Sequence, residues 1–207
     1  MVVGLDLDGT LIDAERRQAG LALHLLEATG RRPVDPVAFW SLKREGHTTA
    51  GALEALGVPA DDAGDIARRW RDQIEDPAWL LLDAVLPGVD TALAELRATA
   101  RSVFVLTARR DAAAVTAQID RLGLGFGPAE IDVVPPARAA AEKAAALERR
   151  KADALIGDTE VDAQAAAAAG VRFVGVTSGQ RSGAALRRSG VTDVCDGLAA
   201  ALAGLRG

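Results

Sequence analysis

The sequence predicts an α/β fold, a doubly wound parallel sheet into which an all-helical unit is inserted. Three observations carry this reading. Short apolar runs alternate with helical patterns from residue 86 to the end, the arrangement that builds βαβ units and a parallel sheet. One further apolar run stands by itself at the start of the chain, followed by a long stretch with no convincing strand. The length of 207 residues, 49 % of them apolar, suits one domain, or one domain with an insert, around a real core.

The elements follow in order. Val2 to Leu7 reads as a short buried strand. From Ala14 to Val85 the pattern is helical over Glu15 to Thr29, Thr48 to Leu56 and Ala60 to Glu75, punctuated by Gly30, Gly57 and Pro59. Leu86-Pro87-Gly88 reads as the return hinge. This divides the chain into an α/β core of residues 1–13 and 86–207 and a helical insert of residues 14–85. Further strands are expected at Ser102 to Leu106, Ala152 to Ile156 and Val171 to Val176, with weaker ones at Ile131 to Val134 and Val191 to Cys195. Helices are expected at Asp90 to Ala100, Asp111 to Leu122, Ala137 to Arg150, Val161 to Ala169 and Ser182 to Ser189. Right-handed crossovers then place helices on both faces of the sheet.

Composition excludes several classes. A net charge of -5 argues against nucleic acid as the main partner. The single cysteine, Cys195, rules out an internal disulfide framework. No stretch approaches the ~20 apolar residues of a membrane span, and no basic and apolar leader precedes Val2, so a cytoplasmic location is expected. Only three of the 24 basic residues are lysines: Lys43, Lys143 and Lys151. A lysine at a motif position therefore carries more weight than usual.

The chemistry is concentrated in four places. In Asp6-Leu7-Asp8-Gly9-Thr10, two carboxylates at i and i+2 project to one side of an extended chain. They stand at the C-terminal end of the first strand, where open α/β sheets bind ligands. Gly157-Asp158-Thr159-Glu160-Val161-Asp162 follows another buried run and opens a helix. Acids in a first helical turn are ordinary capping. Beside Asp6 and Asp8, however, they build a costly cluster of like charge. A hard divalent cation relieves it, and Mg²⁺ is the usual choice beside phosphates. Thr107 ends the run Val103 to Leu106, and Lys143 lies on an alanine-rich helix. Either residue alone is unremarkable; the order of the four signals raises them together.

That order resembles the haloacid dehalogenase superfamily. Its four motifs match Asp6/Asp8, Thr107, Lys143 and Asp158/Asp162, and the position of the helical insert resembles the phosphoglycolate phosphatase-like subfamily. The resemblance implies a HAD-like Rossmannoid core with a helical cap and a Mg²⁺-dependent phosphoric monoester hydrolase. It implies Asp6 as nucleophile forming an aspartyl-phosphate and Asp8 as general acid and base. Asp6, the Asp8 carbonyl and Asp158 would hold Mg²⁺, with Asp162 acting directly or through water. Thr107 and Lys143 would hold the phosphoryl oxygens. Because Asp8 is an acid, the phosphotransfer branch fits and dehalogenation does not. One departure stands out. Many members of the subfamily carry a Lys-Pro-x-Pro segment where this chain has Pro135-Pro136-Ala137-Arg138. Lys143 is preferred for the lysine's role, with Lys151 as the second candidate.

Specificity is expected in the polar segment Lys43 to Thr49, where Lys43, Arg44 and His47 suit a leaving group with a second anion, and at Arg109. Arg110 shares that entrance, although Arg109 and Arg110 both match solvated helix-start residues better than entrance residues. His24 falls on a helical face with Leu21, Leu25 and Ala28 and reads as packing; Cys195 reads as a buried apolar residue. Trp40, Trp70 and Trp79 read as core of the insert, with Trp40 near enough to the polar segment to touch a ligand. The partner expected is a small phosphorylated metabolite, and the sequence carries no signal for oligomeric state. A phosphomutase of the β-phosphoglucomutase type fits the same four motifs. A response-regulator receiver domain uses a similar acid, threonine and lysine set, but it is shorter, lacks the insert and places its acceptor acid after a later strand.

Overall fold

A computed structural model describes residues 1–205. Six parallel strands form the sheet: β1 (Val2–Leu5), β4 (Ser102–Ala108), β5 (Ile131–Val134), β6 (Ala154–Gly157), β7 (Arg172–Val176) and β8 (Val194–Cys195). Their spatial order is β5-β4-β1-β6-β7-β8. The chain thus runs outward from β1 on one side, then returns to β6 and runs outward on the other. The reversal lies beside β1, where such sheets open a crevice at the strands' C-terminal ends. Registers are continuous across it: Leu5 pairs with Val105 on one flank and with Ile156 on the other. Both faces are covered. Helices α6 (Val89–Thr99), α7 (Ala112–Arg121) and α11 (Leu198–Leu205) bury their apolar sides with Val3, Leu5, Val105 and Val174. Helices α8 (Ala139–Arg150) and α9 (Glu160–Ala169) pack over Phe104, Leu106 and Leu155 on the other face.

The insert is built from α1 (Glu15–Glu27), α2 (Pro36–Arg44), α3 (Thr49–Ala55), α4 (Ala60–Gln73) and the single turn α5 (Pro77–Leu80). It has its own apolar cluster, in which Leu21, Leu25, Phe39, Leu53 and Ile66 are buried together. Helix α2 departs from the sequence expectation, which left residues 36–44 without a helix. Its start signal is nonetheless ordinary: Pro36 sits at the first helical position and the Asp35 carboxylate accepts from the Val37 N–H at 3.0 Å. Lys43 and Arg44 therefore stand in a last helical turn rather than in a free loop.

Both crossings between core and insert are paired. Strand β2 (Ile12–Asp13) runs antiparallel to β3 (Ala84–Val85), with Ile12 opposite Val85. A two-residue ladder leaves no periodicity for a sequence reading to find. Two minor expectations also change. His24 is exposed and its ring meets Trp79 at 5.6 Å instead of packing inward; the buried face of α1 runs through Leu21, Ala22, Leu25 and Leu26, and His24 stands beside it. Cys195 is partly exposed on the short edge strand β8, where only one neighbouring strand covers it. Trp40 is buried in the insert's core, and Trp70 and Trp79 pack against that core while partly exposed. Among the described residues no helix is long and apolar enough to cross a membrane.

Candidate active site

The three central strands deliver the four motifs to one place. Asp6 follows β1, Thr107 lies near the end of β4, and Asp158 follows β6. Helix α8 contributes Lys143 from its core-facing stripe, one turn from Ala139 and one from Leu147, all three buried. These residues line a cleft of about 240 Å³ together with Pro136, Gln180 and Arg181. Lys151 caps the far end of α8, exposed and with a left-handed φ of 51°; it is outside the cleft.

The turn after β1 is tight. The Leu7 carbonyl accepts from the N–H groups of Leu11 and Ile12, and the Gly9 N–H donates to Ile12 at 2.7 Å. Gly9 has φ +80°, and any Cβ there would run into the Asp158 carboxyl group. Gly157 is equally constrained, since its Cβ would lie 2.6 Å from the Asp162 carboxyl carbon. Glycine at both positions lets the backbone approach the acids this closely.

Two charge clusters result, and they differ in balance. In the first, Lys143 Nζ bridges Asp6 Oδ1 at 2.6 Å and Asp162 Oδ1 at 2.5 Å. The Asp162 Oδ2 accepts from both the Thr159 N–H and hydroxyl. Asp158 accepts the Gln180 N–H through Oδ2 at 2.5 Å, while its buried Oδ1 has no protein partner. Asp6, Asp158 and Asp162 each offer an oxygen within 4.8 Å of the others. Three buried carboxylates face one ammonium. Burial and the neighbouring Asp162 push the Asp6 carboxyl up to about 7 against the pull of Lys143. Burial, with Asp6 and Asp162, pushes Asp158 well above the carboxylate range. Burial opposes the charge on Lys143, but Asp162 and Asp6 outweigh it and hold the ammonium firmly protonated. The uncompensated charge, the all-oxygen donor set and the orphaned Asp158 oxygen together fit a hard divalent cation such as Mg²⁺.

The second cluster is balanced. Asp8 receives a two-pronged contact from Arg109 at 2.8 and 2.7 Å and a third bond from Arg17 at 2.6 Å. Arg17 also grips Asp83 at 3.0 and 2.8 Å, and Gln118 donates to the same Asp83 at 2.7 Å. Burial works against the Asp8 charge, but Arg109 and Arg17 hold its carboxyl at about 2. Arg17 enters from α1 and Asp83 from the residue before β3, so this chain of bonds ties both crossings to Asp8. Arg17 escaped the sequence reading although a signal was present: it falls four residues before Leu21 on the buried face of α1, a position where a charge needs a partner.

The expected specificity residues separate. Lys43 is buried, its Nζ 3.3 Å from the Thr49 hydroxyl and 5.6 Å from the Trp70 ring centre. Burial and nearby Arg181 bring its ammonium down to about 8. With exposed His47 it lines a second cleft on the insert side of Pro136, Val161 and Arg181. Arg44 turns away and donates to the carbonyls of Gly179 and Thr177 at 3.0 and 2.9 Å. Arg109 is committed to Asp8, though its buried Nη1 has no partner. Arg110 is exposed and pairs with Glu75 of the insert.

Comparisons with known proteins bear on the family and the fold. Residues 1–170 match the model of the haloacid dehalogenase-like hydrolase family. The chain is 31 % identical over 189 residues to the phosphoglycolate phosphatase of Rhodobacter capsulatus, covering 85 % of this chain and 84 % of that protein. Among solved structures it superposes on a haloacid dehalogenase-like hydrolase from Streptococcus pneumoniae with a TM-score of 0.75 at 18 % identity, over 99 % of this chain and 97 % of that one. A hydrolase from Pseudomonas syringae gives 0.67 at 21 % identity, over 100 % and 98 %. A family match over residues 1–170, which include all four motifs in order, together with the shared fold, establishes that this chain belongs to the haloacid dehalogenase-like hydrolases.

Proposed function

We propose that the chain is a Mg²⁺-dependent phosphatase that hydrolyses a small phosphate monoester through an aspartyl-phosphate. The observation that carries this is the uncompensated trio Asp6, Asp158 and Asp162 around Lys143, beside the C-terminal ends of β1 and β6. When bound there by Asp6, Asp158, Asp162 and the Asp8 carbonyl, Mg²⁺ supplies positive charge against the transferring phosphoryl oxygens. Lys143 and the Thr107 hydroxyl hold the same oxygens. An Asp6 oxygen forms the bond to phosphorus as the bond to the leaving oxygen breaks. Asp8 gives a proton to that oxygen, then takes one from the water that cleaves the acyl phosphate. As the structure stands, Arg17 and Arg109 keep Asp8 in its base form; serving as acid requires a proton and a loosened grip.

The helical insert acts as a cap that closes over the phosphoryl group and excludes water. Lys43 is its recognition residue: a buried ammonium with no carboxylate bonded to it among the described residues, facing the leaving-group side. The relative from Rhodobacter capsulatus is a phosphoglycolate phosphatase, and a leaving group bearing a carboxylate would complete Lys43.

The test is inorganic phosphate release from a panel of monoesters, with Mg²⁺ or EDTA, against Asp6→Asn. Release that needs Mg²⁺ and falls by about 10³-fold or more in Asp6→Asn is the expected result. No release from any ester by the folded protein overturns it, and isomerisation of a sugar phosphate would bring back the mutase. In the same panel Lys43→Met should lower kcat/KM about tenfold or more for esters with a carboxylate and leave uncharged leaving groups nearly unaffected. Equal losses for both kinds would remove Lys43 from recognition.

A further inference from the structure

The loop between β7 and α10 (Gly183–Arg188) touches both the cap and the acidic cluster. Its cap contacts converge on one turn. Arg44 donates to the carbonyls of Thr177 and Gly179, the Ser182 N–H donates to the Arg44 carbonyl at 2.8 Å, and Arg181 donates to the Lys43 carbonyl at 3.1 Å. Glu45 accepts from the Ser182 hydroxyl at 2.8 Å and from Arg188 at 2.6 Å. Its core contacts fall on the motif residues. The Gln180 N–H donates to Asp158 Oδ2, and the Ser178 hydroxyl donates to the Gly9 carbonyl at 2.6 Å. Gly179 lies so close to the turn after β1 that an added Cβ would sit 2.5 Å from the Gly9 Cα and overlap the Asp158 side chain. One short segment therefore links the cap turn that includes Lys43 to the carboxylate of Asp158.

We infer that Arg44 is a positioning residue: by clamping the carbonyls of Thr177 and Gly179 it docks the cap on the loop and holds the Gln180 N–H on Asp158, so that the seating of the cap sets the orientation of that carboxylate. Both ends of the bond from Gln180 are directional, and the loop has little slack because Gly179 is wedged against Gly9. Removing the Arg44 side chain frees the two carbonyls and loosens the loop from the cap, leaving the bonds of Ser182 and Arg181 as its attachment. Asp158 then loses the Gln180 N–H, the one donor bonded to it among the described residues. The consequence for a cation rests on reading Asp158 as a ligand; the docking itself does not. Linkage makes the effect reciprocal, so a cation on Asp158 would tighten the cap.

The experiment compares the full chain with Arg44→Ala, Arg44→Lys and Glu75→Gln. Glu75→Gln breaks a cap contact elsewhere, where the Arg110 N–H and side chain meet the Glu75 carboxylate. Amide hydrogen exchange reads residues 177–182, and a Mn²⁺ titration followed by electron paramagnetic resonance reads the metal site. In Arg44→Ala, exchange at 177–182 should accelerate about tenfold and Mn²⁺ should bind about tenfold more weakly, within the ~5–150-fold range of coupled sites. Arg44→Lys, which keeps the charge but lacks the planar fork, should fall between. Glu75→Gln should leave both readings near those of the unaltered protein. Unchanged exchange in Arg44→Ala overturns the inference, as does an equal change in Glu75→Gln. Failure of the unaltered protein to bind Mn²⁺ overturns the metal reading of Asp158 instead, and the exchange comparison still decides the role of Arg44.

Discussion

Lys143→Met should cost the metal-free protein about 3–5 kcal/mol and lower phosphate release by about 10²–10³-fold, and Mg²⁺ should restore much of the stability but not the activity. Among the described residues Lys143 is the only cation bonded to Asp6 and Asp162, and all three side chains are buried. Methionine fills a similar volume but leaves three buried acids with no cation bonded to Asp6 or Asp162 among the described residues. A divalent cation offsets that loss by binding the folded state alone. In the proposed reaction it would not replace the Lys143 ammonium as the partner of a phosphoryl oxygen. The pH dependence has a definite sign. In the metal-free protein the Asp6 carboxyl titrates at about 7 rather than 3.8. Between those values the folded state holds a proton that the unfolded chain has lost, so stability falls as pH rises through that window. The increase in Tm on adding Mg²⁺ should therefore be larger at pH 8 than at pH 5, for the unaltered protein and more so for Lys143→Met. Asp8, held at about 2, acts in the opposite direction, but its contribution is lost only below about pH 4. Thermal unfolding with and without Mg²⁺ at the two pH values checks all of this. A Lys143→Met protein as stable as its parent without metal would mean that the acids are not charged together.

The second large effect is expected at Arg17, whose loss Mg²⁺ should not repair. Among the described residues, Arg17→Met strips Asp83 of its only cation and Asp8 of one of two. Asp83 is 3 % exposed, and burial already pushes its carboxyl above the usual range against the pull of Arg17. Breaking a buried pair by removing one member costs about 3–5 kcal/mol, because the remaining charge has neither water nor partner. For a chain of this size that corresponds to a fall in Tm of roughly 6–20 °C. Adding Asp83→Asn to Arg17→Met should recover part of the loss, since the neutral amide can keep a bond to Gln118 while no bare charge remains. A double-mutant cycle read by thermal unfolding measures this coupling. Losses that simply add would show that the hinge pair contributes nothing as a pair. The same variant should disturb catalysis less than Lys143→Met does, because Arg109 still holds Asp8 by two bonds.

The parts of this protein that were legible in advance are those written in neighbouring residues. The sheet strands announced themselves as apolar runs, and the acids at positions 6, 8, 158 and 162 stood where strands end. Helix α2 was also written locally, in Asp35 and Pro36, but the polar residues at its end masked it. The ladder of β2 and β3 was not readable, because two residues on each side carry no period.

Sequence alone determined the α/β architecture, the helical insert and the four motifs, since strand, turn and cap preferences act over a few residues and the motif order survives in one dimension. Only the tertiary structure decided which cation meets which acid. It set Lys143 rather than Lys151 against Asp6, turned Arg44 from the substrate side to the carbonyls of Thr177 and Gly179, and joined Arg17 to Asp83 across 66 residues and Arg109 to Asp8 across 101. The physical reason is that a buried charge must find its partner in space. With 21 arginines and 29 acids along the chain, many pairings satisfy the same composition, and packing of the cap on the sheet selects among them.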